Sequence, residues 1–214
     1  MMFSRILPRQ NLLILLGIFA ASIPLTTASA ATLERRSLSD LAKGAELIVD
    51  GTVIGQKVEA LGGGQGARTC FTIAVAEVVA GTSPGKSVRL CFFGGEIGGR
   101  GYGVSGMQFP KVGERGIYLI ESVHQPMLNP LIGWDQGRFG IVKDAASGAL
   151  KVTTADGRRV TALTPEAAQP SARATVVSSE AASAAGVVAD DGSDLRGAIS
   201  RDDFVAKLRV YHGG

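Results

Sequence analysis

Four stretches of the chain alternate apolar and polar residues with period two, and glycine-containing segments separate them. In ELIVDGTVIGQKVE (46–59), Leu47, Val49 and Val53 share one face, and Asp50, Thr52 and Gln56 take the other. That alternation predicts a half-buried strand. RTCFTIAVAEVV (68–79) places Phe71, Ile73 and Val75 together, then slips phase toward Val78, which predicts a bulge near Ala76 and Glu77. SVRLCFFGG (87–95) aligns Val88, Leu90 and Phe92, and a fourth strand falls at about 115–121. RFGIVKD, ALKVTT and RRVTAL follow, joined by Ala-Ala-Ser-Gly and Ala-Asp-Gly, which suit hairpins. With 29 glycines and only 6% aromatic residues, strands joined by tight turns are favoured over a helical bundle. The expected fold is mainly β: a small barrel or meander with one short helix at each end.

The ends of the chain add to this frame. Residues 1–30 read as a secretory signal: Arg5 and Arg9 precede an apolar run at 12–23, Pro24 breaks it, and Ala28-Ser29-Ala30 offers a cleavage site. The run is shorter than the roughly 20 residues needed to cross a bilayer, so no stable membrane anchor is expected after cleavage. The expected location is periplasmic or extracellular. The signal holds two of the 22 Lys+Arg and none of the 19 Asp+Glu, leaving the rest at 20 against 19. No basic run survives there, so nucleic acid is not an expected partner. SLSDLAKGA (37–45) predicts a helix capped by Ser37 with Asp40 in the reciprocal position. The expected β domain covers 31–163, an Ala/Ser-rich linker 164–198, and a helix 199–212 capped by Ser200. Phe204, Leu208 and Tyr211 form its apolar stripe, which must dock on the β domain or on a partner, because so short a helix is marginal alone.

Cys70 and Cys91 are the only cysteines, and an oxidising compartment makes a disulfide between them the default. A metal pair would need histidines, and neither His124 nor His212 lies at zinc-ligand spacing. If Val79 faced Ser87 across a tight hairpin, Cys70 would miss Cys91 by about 17 Å along the strand. The bridge therefore requires either the bulge or a longer connection, with pairing starting near residue 76.

Two nucleotide-like spellings fail on context. Ala80 to Ser87 (AGTSPGKS) is one residue from the phosphate-binding loop, yet a strand rather than a helix follows it. GYGVSG (101–106) fits the dinucleotide spacing, and no helix begins after it either. No nucleotide, cofactor or metal is expected. No nucleophile–base pair stands out, so an enzyme is the last-placed reading. Glu96 in GGEIGGRG sits between glycines that would expose it on a loop. Arg100 and Tyr102 share that Gly-rich segment. Trp134 and Arg138 in GWDQGRFG make either an interface anchor or a packed end of the β domain.

AELIVDGTVIG, FTIAVAEVVAGTSPGKSVRL and FPKVGERGIYLIE occur in an order that resembles the netrin-like module, the OB-type barrel of tissue inhibitors of metalloproteinases. Ile73, Val75, Val78 and Gly81 fit one of that family's strands, and Val112-Gly113 with Tyr118-Leu119 fit another. The sequence is also similar to exported bacterial proteins of the same plan. The resemblance implies an OB-like barrel that binds a protein, with a protease-binding module among the readings. The inhibitors' N-terminal cysteine has no counterpart at Ala31-Thr32-Leu33, so their inhibitory mechanism does not carry over. The expected function is an exported, non-enzymatic module binding a protein or envelope component, with Glu96, Arg100, Tyr102, Trp134 and Arg138 as contacts. The alternative is a structural part of the cell envelope or surface, assembled through the C-terminal helix.

Overall fold

The alternating runs become the strands of one large antiparallel sheet. A computed structural model of the chain describes residues 32–164, 176–178, 183–192 and 194–214. In chain order the elements are β1 (Thr32–Glu34), α1 (Leu38–Gly44), β2 (Leu47–Ala60), β3 (Ala67–Gly81), β4 (Ser87–Phe93), β5 (Gly95–Ile97) and β6 (Arg100–Tyr102). They continue with β7 (Arg115–Ile120), β8 (Arg138–Lys143), β9 (Leu150–Thr154), β10 (Arg159–Leu163), β11 (Val176–Ser178), β12 (Val187–Asp190) and α2 (Arg201–Gly213). The main sheet has eight strands in the order β12-β10-β9-β8-β7-β2-β3-β4. β1 pairs with β11, and β5 with β6, outside it. The sheet is open, with β12 and β4 at its two edges, so of the expected barrel or meander the mainly β character holds and barrel closure does not. The signal assignment at 1–30 lies outside the described residues.

Strand alternation feeds two cores, one on each face. Ile48, Ile117, Leu119, Phe139, Ile141 and Val152 point to the face covered by α1 and α2. Leu47, Val49, Phe71, Ile73, Leu90, Phe92, Tyr118 and Ile120 point to the other, closed by Met107 and Phe109. Phe71, Phe92 and Phe109 stack there with ring centres 5.7–5.9 Å apart, a spacing typical of aromatic pairs.

Both helices form where their caps predict. Ser37 Oγ accepts from Asp40 N at 2.9 Å, and Ser200 Oγ from Asp203 N at 3.1 Å. α2 docks on its own sheet: Phe204, Val205 and Leu208 are fully buried, and Phe139 stacks on Phe204 at 4.7 Å. Each such burial contributes about 1.5–3 kcal/mol. Ahead of α2, Ile199 wedges between β9 and β10, donating to Val160 O (2.7 Å) and accepting from Val152 N (3.2 Å).

One expectation needs correction, and one open alternative is decided. The stretch 164–198 is not wholly a linker: β12 is the outer strand of the main sheet, and Ala184 and Val187 sit in the helix-side core. The Ala/Ser composition hid a short apolar strand for which β10 supplies the partner. The rest of that assignment, at 165–175, 179–182 and 193, lies outside the described residues. Of the two routes to the Cys70–Cys91 bridge, the longer connection is the one present. Ala74, not Val79, faces Ser87, so a long connection replaces a tight hairpin, and Cys70 falls directly opposite Cys91. The two are disulfide-bonded. The bulge exists where predicted, since Asp50 faces Glu77 and Gly51 faces Val75, leaving Ala76 unpaired. It serves the β2–β3 ladder, whereas the longer connection aligns the cysteines.

Candidate functional site: a groove at the β4 edge

β4 presents one side of its backbone to β3 and the other outward. Gly94 N donates inward to Ala67 O (2.8 Å), whereas Phe93 N donates outward to Leu128 O (2.7 Å). In an antiparallel pair this direction alternates along the strand. The N–H and C=O groups of Arg89 and Cys91 therefore also point outward, and no backbone bond from outside the ladder reaches them among the described residues.

Beside this edge runs loop 121–131, which carries Pro126 and Pro130. Its neck is pinned by Glu121 N to Pro130 O (2.9 Å) and by Leu131 N to Asn129 Oδ1 (2.9 Å). Between loop and strand lies a groove of about 650 Å³, with Leu61, Leu90, Cys91, Phe93 and the 122–128 segment as its walls. Val123 (39%) and Leu128 (53%) stay exposed there, although apolar side chains favour burial. Arg68 and Arg89 also line the groove, and no acidic side chain does. Both guanidiniums lean on Glu59 (3.0 and 2.7 Å), with Lys57 at 3.4 Å. Hydrogen bonds from Arg89 and then Arg68 hold the Glu59 carboxyl down to about 2. Three cations around one carboxylate leave this surface positive.

The Gly-rich segment is an ordered hairpin that continues from β4. Gly98 and Gly99 turn it with φ of +58° and +73°. Glu96 faces Gly101, Arg100 faces Ile97, and both side chains are exposed. At the base, a Cβ on Gly66 would meet both Phe93 (3.1 Å) and Tyr102 (3.6 Å), so Tyr102 packs near Gly66 on the same side as Phe93.

Trp134 and Arg138 lie elsewhere. Trp134 is half-buried and holds a left-handed φ of +59°, unusual for a residue of its bulk. Arg138 is 3% exposed, donates to Glu114 (3.1 Å) and lies 3.5 Å from Asp135. It lines a separate cleft of about 520 Å³ with Glu114, Arg115, Thr154 and Asp156. Buried under two carboxylates, Arg138 does not offer the surface anchor expected of it. The five predicted residues thus divide between a hairpin near the groove and a position at the start of β8.

Sequence reasoning missed Arg68, Arg89, Phe93 and Leu128. The signal was present for three of them: they occupy the strand faces opposite Phe71 and Leu90, and two are charged. Among the described residues no cluster of three or more His, Cys, Asp or Glu side chains could hold a metal, and no helix is long and apolar enough to cross a membrane. Compared with known proteins, the chain matches no family model, no curated protein and no solved structure.

Proposed function

We propose that this protein is an exported, non-enzymatic β module that binds another protein, and that the groove beside β4 is where it does so. The observation carrying this reading is the exposed apolar pair Val123 and Leu128 next to a strand edge with outward backbone groups. Exposed apolar side chains in a concave site mark binding surfaces. The N-terminal apolar segment and the Cys70–Cys91 bridge support export. The OB-type, netrin-like reading also stands as a proposal. It rests on the order of the three sequence segments, which form the adjacent strands β7, β2, β3 and β4 of the open sheet. Assembly through the C-terminal helix is the weaker alternative, because Phe204, Val205 and Leu208 are spent on the protein's own core. A photo-crosslinking residue at Leu128 tests the proposal in the native envelope. A discrete protein adduct from position 128, absent from the more exposed but remote Val210, is expected. Equal or no crosslinking at the two positions would reject the groove.

A further inference from the structure

We infer that the groove is a strand-addition site for an extended partner segment that alternates apolar and acidic residues. This rests on the protein-binding reading above and names the partner's chemistry. The chain itself shows that the edge can pair, since Phe93 N already bonds Leu128 O outward. Cys91 and Arg89, two and four residues earlier, offer the same outward groups. Sheet edges of this kind accept an extended peptide through main-chain bonds, and side-chain pockets add specificity.

The face chemistry fixes the pattern. On one face of β4, Val88, Leu90 and Phe92 turn into the aromatic core, so an added strand would place apolar side chains beside them. On the other face stand Arg89, Cys91 and Phe93, facing Thr72, Cys70 and Arg68 across the ladder. An added strand would set its alternate side chains next to Arg89, and carboxylates suit that position. A second copy of this chain is a poor occupant in the register centred on Arg89, where antiparallel pairing of two β4 edges would set two guanidiniums side by side.

The test uses a fluorescein-labelled peptide amide of alternating glutamate and valine, about seven residues long to match β4, with the full exported chain in an anisotropy titration. Saturable binding is expected. N-methylation of alternate backbone nitrogens leaves the probe's charge unchanged and should weaken binding by on the order of tenfold or more. A lysine–valine probe should bind no better than the methylated one, and Arg89→Glu should reverse the preference between the two charges. Equal binding of the methylated probe would overturn strand addition. Equal binding of both charges would overturn the acidic pattern. If no probe binds while the adduct at Leu128 persists, this inference fails and the groove reading survives. A concentration-dependent dimer that Arg89→Glu abolishes would assign the edge to a second copy and overturn the inference.

Discussion

Asp50 and Asp135 are two buried carboxylates, each beside arginine, and they are built in opposite ways. Asp50, near the start of β2, is fully buried, and both of its oxygens are used. Arg115 grips it through two bonds of 2.9 Å, Nε to Oδ1 and Nη2 to Oδ2. Arg201, at the start of α2, adds a third at 2.8 Å and also bonds Glu77, which Arg209 holds from the other side. Asp135 is 7% exposed with Arg138 at 3.5 Å, and neither of its oxygens has a hydrogen-bond partner among the described residues. Burial pushes its carboxyl up to about 6, and Arg138 offsets only part of that. Proximity to a guanidinium is therefore not what makes a buried carboxylate tolerable; directed hydrogen bonds are. The first cluster ties a helix near the chain's end to the central strand. The second leaves a charge under-served beside the Trp134 turn, where the backbone also takes an uncommon conformation.

The largest effect should come from breaking the satisfied site. Asp50→Ala leaves Arg115 and Arg201 without their shared carboxylate and should cost about 3–5 kcal/mol, read as a shift in the urea midpoint. A loss below about 1 kcal/mol would mean that the cluster behaves like a surface pair. The unsatisfied site should respond the other way. Asp135 has a raised folded-state value, so its stabilising share is complete at low pH and fades as pH climbs from about 4 through about 6. Asp135→Asn should remove that fading and gain up to about 3 kcal/mol at neutral pH, while matching the wild type near pH 3. An identical pH profile in the two proteins would rule out the burial cost assigned to Asp135. Arg138→Gln should move the wild-type step to higher pH, because the offsetting charge is gone; an unmoved step would show that Arg138 does not act on it.

Local patterns of this fold were legible, and long-range register was not. β2, β3, β4 and β7 to β10 could be read from alternation because each buries one or both faces against a continuous core. Ser37 and Ser200 marked both helices, since a cap is a three-residue signal. The partner of Val187 was invisible, because a four-residue strand in Ala/Ser-rich surroundings is specified by β10 and not by itself. The β3–β4 register escaped for a related reason: β3 continues past Val75 to pair with β2 alone, so the last apolar residue of its run does not mark the turn. That five-residue difference also hid the site. Only with Cys70 opposite Cys91 do Arg68 and Arg89 converge on Glu59, across three strands, beside the groove.

Glu59 completes the comparison as a carboxylate with good partners and only partial burial. Arg89, Arg68 and Lys57 hold its carboxyl near 2, so any stabilisation it gives is present above its usual value and lost only in strong acid. Because the cluster faces solvent, water and salt screen it. Glu59→Gln should therefore leave the thermal midpoint at neutral pH unchanged within error. Its effect should appear at the groove instead. With the carboxylate removed, Arg68 and Arg89 lose their competing partner, and the glutamate–valine probe should bind more tightly while the lysine–valine probe does not. A destabilised protein with unchanged probe affinity would place Glu59 with Asp50 as a structural anchor. Tighter acidic binding at constant stability would identify it as the group that sets the charge of the binding edge.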